Sequence, residues 1–438
     1  IRTLDGEVPV PAIIDGTRIV LDVMLLANRI ETNARLRGPA WSRDVATQST
    51  NFEFRLPPGA RIIEVTARNP FSGALAGANP SLKEGWLPTL LNRPLFDTAR
   101  FTPEVWDGYI DIERDTVIRR PVKIMPGTTI TLAPGASLVF RQRVEAIGSV
   151  SAPIVVKSQG GEQAVNRRTA WGVFALQGEG TQGSILSNLH IYGGSGADVA
   201  AISYTGMLSV HDTKNIVLTN LRLGRNFKAD DSLHLVYAKD VIIEDIVIHD
   251  ARGDAIDLDV SKALIKGGRI VNSGNDGIDL MSTRARISDL HIAYSGDKGV
   301  SIGERSHALL DDVLLKANKF GIEAKDGSQV LLIRGDLLDN ETQVNAYRKN
   351  WRYTGGGRID IYRSLMEGQS NKISAQSGSL VIVNGSSIRP AAEISKGSVQ
   401  IYEEPRKADK LAKRLVEFPF GREWLRDNSQ SVPGHFLK

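Results

Sequence analysis

Five short segments put reactive side chains in line. Asp231-Ser232-Leu233-His234-Leu235, Asp254-Ala255-Ile256-Asp257-Leu258, Asp276-Gly277-Ile278-Asp279-Leu280, Lys298-Gly299-Val300-Ser301-Ile302 and Phe320-Gly321-Ile322-Glu323-Ala324 follow one another at steps of 22 or 23 residues. One column of the alignment is always aliphatic, and the column beside it reads His234, Asp257, Asp279, Ser301, Glu323. Asp231, Asp254 and Asp276 make a second acidic column that Lys298 continues, with Glu304, Lys325 and Asp326 at its far end. Stacked carboxylates repel when ionised. A shared proton, a bound cation or a neighbouring base relieves the repulsion, and each of these is the raw material of a site. A shared proton gives an acid–base pair of the kind used in glycoside hydrolysis. Oxygen-rich ligation would suit Ca²⁺. A cation with Lys or His would suit a lyase or epimerase acting on a uronate.

Short strands position these groups. Ile256 and Leu258 point inward, so Asp257 and Asp259 point out on one face, and Ile278 and Leu280 do the same for Asp279. Strands stacked at about 4.8 Å place Asp257 roughly 5 Å from Asp279, with His234 one rung beyond Asp257 and Asp259 about 8 Å diagonally from Asp279. Both carboxyl separations of glycosidases, about 5 Å for retention and about 6.5–9.5 Å for inversion, can be built here, so the sequence leaves the outcome open.

The repeat extends beyond the five segments. Leu208, Leu233, Ile256, Ile278, Val300, Ile322 and Val344 form one aliphatic column, and Leu223, Ile248, Ile270, Ile292, Leu315 and Leu337 a second. A third runs along Val217, Ile242, Leu264, Ile287, Leu309 and Leu331. Three strand columns per turn of about 22 residues predict an all-β chain wound as a right-handed parallel β-helix over residues 106–402, in which no coil is stable alone. Residues 1–105 lack the repeat and read as a small N-terminal β module with a Pro/Gly/Asn-rich connecting segment. Asp15-Gly16 there has the form of a hairpin turn. Residues 403–438 read as a helical tail, amphipathic from Lys407 to Phe418, that caps the open end of the coil; a partner-binding helix is the alternative.

Composition limits the function classes. Apolar content of 41% and charged content of 24% are ordinary for a globular protein, and 42 glycines with 6% aromatics suit many tight turns. A net charge of +4 gives no case for a nucleic-acid or membrane-surface partner. The absence of Cys excludes disulfides, a thiol nucleophile and Cys-bound metal. No apolar run reaches the roughly 18 residues of a spanning helix, so the chain is expected not to be transmembrane. Ile1 is not an initiator Met, and the chain is read as processed or partial. There is no His/Glu metal motif, no phosphate-binding Gly loop and no Gly-x-Ser-x-Gly elbow, and no metal ligand is assigned.

The coils resemble the right-handed parallel β-helix superfamily of pectate-lyase-like and polygalacturonase-like enzymes and uronate epimerases. The run Asp231-Ser-Leu-His, Asp254-Ala-Ile-Asp-Leu-Asp, Gly274-Asn-Asp-Gly-Ile-Asp-Leu, Gly296-Asp-Lys-Gly-Val-Ser-Ile-Gly-Glu and Gly321-Ile-Glu-Ala-Lys-Asp-Gly-Ser is more closely similar to the β-helix of bacterial CotH-kinase-like surface proteins, over residues 106 to 345. The Asn-Thr-Asp and Gly-Asp-Asp pairs of the polygalacturonase-like enzymes and the Asp-Pro-His-Asp motif of alginate epimerases are absent, so no catalytic role is carried over. The resemblance implies a long outer face of the kind that binds extended polysaccharide.

The expected function is that of an envelope, periplasmic or secreted bacterial protein active on a polysaccharide. Asp257, Asp259 and Asp279 are the expected acid–base or cation-binding residues, assisted by His234 and Lys298. Asp231, Asp254, Asp276, Glu304, Glu323, Lys325, Trp351 and Tyr353 are the expected substrate-binding surround. Asp231, Asp254 and Asp276 also read as turn-geometry residues. His211, His249 and His291 lie on other segments and read as surface or satisfied residues. The alternatives are a non-catalytic module binding glycan or envelope and secretion-machinery proteins, and a Ca²⁺ staple between coils.

Overall fold

The computed structural model describes residues 102–402 apart from 162–165, 167, 229, 377 and 395–397. Outside that span it describes strand backbone between Arg2 and Ala78, together with Leu415, Phe418 and Phe420. The fold is an all-β right-handed parallel β-helix. Twelve parallel strands stack as a first sheet, which includes Gly206–His211, Asp231–Val236, Ile256–Asp259, Ile278–Met281, Lys298–Gly303, Phe320–Lys325 and Thr342–Tyr347. The second and third strands of each coil join in a 22-stranded sheet. Among the described residues no helix is long and apolar enough to cross a membrane.

The register follows from burial. Leu208, Leu233, Ile256, Ile278, Val300, Ile322 and Val344 pair rung by rung, and all are fully buried. Leu223, Ile248, Ile270, Ile292, Leu315 and Leu337 do the same in the third strand column. One core fills the tube from Trp106 to Val383, with Trp106, Phe140 and Phe174 stacked at its N-terminal end at 5.7 and 5.2 Å between ring centres. A one-residue slip would turn every such side chain to solvent, which is why the register is strongly specified.

The third aliphatic column read from the sequence is corrected. Leu264 pairs with Arg286, not Ile287, and Arg286 pairs with Leu309. The inward column is Leu218, Ile243, Ile265, Ile287, Leu310 and Leu332, all fully buried. Val217, Ile242, Leu264, Leu309 and Leu331 instead form an outward apolar stripe. Leu415 and Phe418 pack on Leu309, Leu331 and Ile333, and Phe420 lies beside Val217, Ile242 and Leu264. These three residues therefore sit on the flank of the coil; the rest of the expected tail helix and cap lies outside the described residues. Strands between Ala12 and Ala78 pair antiparallel in small separate sheets, including Asp15 opposite Arg18. Within the connecting segment expected from Asn69 to Phe101, Leu75–Ala78 is a strand paired antiparallel with Arg61–Arg68; the rest of the segment lies outside the described residues.

Each corner of the coil turns on a single residue with positive φ. Asn188, Asn220, Asp245, Asp289 and Asp312 mark one bend, and Asp250, Asn272 and Asp339 another. Asn and Asp tolerate this region better than other side chains. The corner after the first sheet holds Asp212, Tyr237, Val260, Ser282, Glu304 and Asp326 at φ of 48–54°.

The inward–outward correction can be checked on two neighbours. Ile243→Ala should cost about 2–5 kcal/mol of unfolding free energy as a core cavity, and Ile242→Ala, at 37% exposure, about 0.5 kcal/mol. Equal losses in denaturant midpoints would mean that the outward assignment of Ile242 is wrong.

Candidate functional site

The expected column assembles on the outer face of the first sheet. His234 pairs with Asp257, Asp257 with Asp279, Asp279 with Ser301 and Ser301 with Glu323. Asp259 stands two residues along from Asp257 on the same face. The expected second column also holds. Asp231 begins its strand, Asp254 and Asp276 lie just before theirs, and Lys298 follows one rung on. These aspartates are buried rather than open turn residues. Asp254 Oδ1 accepts the Asp276 backbone N–H at 2.7 Å and the Asn275 Nδ2 at 2.8 Å, and Asp276 Oδ1 accepts the Lys298 N–H at 3.0 Å. Each carboxylate thus satisfies a main-chain donor of the next coil.

The ladder has two halves. The first centres on His234, whose side chain is 1% exposed. Its Nε2 lies 3.1 Å from Asp259 Oδ2 and 3.6 Å from Asp257 Oδ2, and its Nδ1 lies 2.6 Å from Thr205 Oγ1 and 3.9 Å from Asp231 Oδ2. The second half carries the lysines. Lys298 Nζ contacts Asp276 at 3.4 Å, Asp297 and, at 3.9 Å, Glu323. Lys325 Nζ donates to Ser301 Oγ at 3.1 Å. Gly303 makes that reach possible, since a Cβ there would come within 2.5 Å of the Lys325 chain. Glu323 Oε2 accepts from Asn345 Nδ2 at 2.8 Å. Asp279 joins the halves, and its Oδ1 has no hydrogen-bond partner among the described residues; neither has Asp259 Oδ1.

Burial sets the protonation of the cluster. Desolvation, reinforced by Asp259, Asp231, Asp279 and Asp254, holds the Asp257 carboxyl well above the usual carboxylate range. Desolvation also raises Asp259 against the pull of His234. Asp254 is pushed up to about 9 and Asp276 to about 6, in both cases by burial first and neighbouring carboxylates second. Burial lifts Asp231 to about 7, opposed by His234, and Glu304 to about 7, opposed by Lys325. Burial disfavours the His234 cation, yet the Asp259 hydrogen bond with the charges of Asp231, Asp259 and Asp230 carries its pKa above the ordinary value. Burial likewise opposes the Lys325 and Lys298 cations. Asp279 and Glu304 around Lys325, and Asp276, Asp297 and Glu323 around Lys298, outweigh it and raise both.

One reading from the sequence is overturned: His211 belongs to this site. It is fully buried, stacks on Tyr204 at 5.0 Å and meets the His234 ring edge-on at 5.3 Å. Burial, with His234 second, holds it neutral, well below the ordinary histidine range. The pairing of Leu208 with Leu233 carried the signal, because it puts His211 opposite Val236 and in the outward column of Asp259. His249 and His291 do lie on the surface.

The loop Asn350–Gly357 is tied to the far end of the ladder. Asp326 Oδ1 accepts the N–H groups of Lys349 and Asn350 at 2.8 Å each. Trp351 is 69% exposed, whereas Tyr353 is buried, with the Arg305 guanidinium 5.5 Å from its ring centre. The Arg352 guanidinium lies 5.7 Å from the Trp351 ring centre, and Tyr353 supports the loop from beneath. Among the described residues, two groups could hold a cation. Asp231, His234 and Asp257 bring one ligand atom each within 4.8 Å of one another, as do Asp254, Asp276 and Asp279. The all-oxygen set suits a hard cation such as Ca²⁺, and the mixed set a transition metal.

A profile of the family described as "Periplasmic copper-binding protein (NosD)" matches residues 162–361, less than half of the chain. No curated protein matches. Among solved structures, an alginate lyase from Paenibacillus sp. str. FPU-7 is 16% identical, covering 63% of this chain and 93% of its own at a TM-score of 0.37. The A-module of the mannuronan C-5 epimerase AlgE6 from Azotobacter vinelandii is 13% identical over 69% and 90% of the two chains, at 0.39. The Dettilon tailspike protein is 12% identical over 72% and 64%, at 0.43. The closer likeness to CotH-kinase-like proteins is not among what these comparisons show.

The carboxyls also set a pH dependence. Asp276, Asp231 and Asp254 keep protons up to about pH 6, 7 and 9 in the folded chain, while unfolded carboxyls release them near 3.8. The folded state binds more protons across that window, so the contribution of these groups to stability falls as pH rises from about 4 to about 9. His234, raised, acts in the same direction above 6.5; His211, lowered, acts oppositely as pH falls through 6.5. Asp254→Asn keeps the acceptor for Asn275 and Asp276 and should flatten the alkaline end of a melting-temperature profile. A profile that superimposes on the unsubstituted protein would show that Asp254 is not protonated.

Proposed function

We propose that this protein is a carbohydrate-active enzyme of the bacterial periplasm or exterior, cleaving a polysaccharide laid along the outer face of the first sheet. One observation carries this reading: two carboxyls of adjacent rungs stand in register, Asp257 held protonated by burial and Asp279 with an oxygen free of hydrogen bonds. Asp257, at 13% side-chain exposure, would be the general acid that protonates the departing glycosidic oxygen. Asp279 would be the base or nucleophile. His234 would position Asp257, burial with Asp259 would hold its proton, and Trp351 is an exposed aromatic beside the ladder for a sugar to meet. Glycoside hydrolysis fits better than lyase or epimerase chemistry, because Lys298, on the rung next to Asp279, is already held by Asp276 and Asp297.

A second reading has its own support. Asp231, His234 and Asp257 could take a divalent metal, and the partial match to a family described as periplasmic and copper-binding favours Cu²⁺ over Ca²⁺ for this mixed nitrogen–oxygen set. In that case the ladder is a metal-binding surface and cleaves nothing.

Purified protein incubated with neutral and acidic bacterial polysaccharides, with and without chelator, separates the two readings. The enzyme reading expects new reducing ends that chelator does not suppress. It also expects Asp257→Asn and Asp279→Asn each to lower kcat by about 10²-fold or more, with melting temperature retained. Full activity in both variants would sink it. Copper binding lost in His234→Ala, with no turnover of any glycan, would establish the second.

A further inference from the structure

A different face of the coil carries a ladder of the opposite charge. In the third strand column, seven consecutive rungs each present two outward positions: Val155 and Lys157, His190 and Tyr192, Arg222 and Gly224, Val247 and His249, Arg269 and Val271, His291 and Ala293, Leu314 and Lys316. Every rung holds one basic side chain and no carboxylate. Asp111 lies beyond the Thr129/Thr131 rung at one end, and Asp336 closes the other. Basic residues occupy the first position at His190, Arg222, Arg269 and His291, and the second at Lys157, His249 and Lys316. The spacing is regular: one rung in the second position, two in the first, repeated.

The ladder is open and in part built. Arg222, Arg269 and His291 are exposed, and the other four basic residues are half-buried. Among the described residues no carboxylate pairs with Lys157, Arg222, Arg269 or Lys316, whereas the lysines of the acidic ladder are all engaged. His249 leans across Gly224, where a Cβ would meet its ring at 2.6 Å, and packs against Tyr192 at 6.0 Å between ring centres. Corner carboxylates flank the track, Asp245, Asp289 and Asp312 along one edge and Asp250, bonded to His249 Nδ1 at 3.0 Å, along the other. Six steps of about 4.8 Å make a basic track roughly 29 Å long, in which Lys157, Arg222, Arg269 and Lys316 carry the permanent charge.

We infer that this face binds a linear anionic polysaccharide whose carboxylates run along the coil axis. The permanent cations Lys157, Arg222, Arg269 and Lys316 fall on every second rung, with a histidine on each rung between, which matches a polymer that carries charge at regular intervals. Between the cations stand Val155, Val247, Val271, Ala293 and Leu314, small aliphatic surfaces suited to the edge of a sugar ring. A single-stranded nucleic acid would need a series of aromatic platforms for its bases, and Tyr192 and His249 supply only one. The inference is independent of the proposed enzyme function, since the two ladders occupy different sheets.

The test measures binding of sodium polygalacturonate to the full chain across a salt series, by calorimetry. Binding should weaken with salt. In R222S/R269S the Kd should rise about tenfold, and the slope of log K against log salt should fall by about 1.4, two contacts at about 0.7 each. Both residues are exposed, so the melting temperature should hold, and Lys266→Ser, at an exposed lysine of the second strand column, should bind like the unsubstituted protein. No binding by the unsubstituted chain at low salt would overturn the inference. So would unchanged binding in R222S/R269S, equal affinity for a neutral glucan, or tighter binding of oligo-dT of matched charge.

Discussion

Everything in this molecule depends on parallel stacking in register. Each coil donates and accepts its main-chain hydrogen bonds with the coils above and below, about 4.8 Å away. That constraint forces equivalent positions to meet whether or not their chemistry agrees. Inside the tube it is favourable, because aliphatic side chains meet aliphatic side chains. Outside, the same rule brings carboxyl against carboxyl. Asp231, Asp254 and Asp276 are tolerated because two of them satisfy a backbone donor on the next rung and all three hold protons far above the usual range.

The acidic ladder is graded along the axis. His211 and His234 stand at the N-terminal end, two lysines at the C-terminal end, and Asp257 and Asp279 face each other on the rungs between. The scaffold that holds them is rigid because the Leu and Ile columns on the other side of the same strands are fully buried. The ladder and the core therefore occupy alternate residues of the same strand.

The fold was legible because its signal is repeated many times. Two aliphatic columns and the ladder His234, Asp257, Asp279, Ser301, Glu323 appear in the structure at the rungs the spacing predicts. What failed did so for physical reasons. In the second strand column apolar residues fall on both faces, so alternation gives no direction, and Ile287 stood in for Arg286 by one position. His211 was missed because a chemically ordinary neighbour, Val236, separates it from Asp259 in the column. The burial of Asp231, Asp254 and Asp276 could not be read from residue type, since turn geometry and buried capping use the same side chain.

The coil spacing has a further meaning for how such a chain can vary. Because contacts repeat every 22 residues or so, the ladder behaves as a set of interchangeable floors. Losing one whole floor, from Ile256 to Gly277, would leave the aliphatic columns intact while bringing His234 directly opposite Asp279. Inserting a few residues at a corner would leave both neighbours where they are, as the Asn350–Gly357 loop already does between Thr342–Tyr347 and Arg358–Tyr362. The distance between reacting groups on this scaffold can therefore change only in whole rungs, whereas the walls around them can change residue by residue.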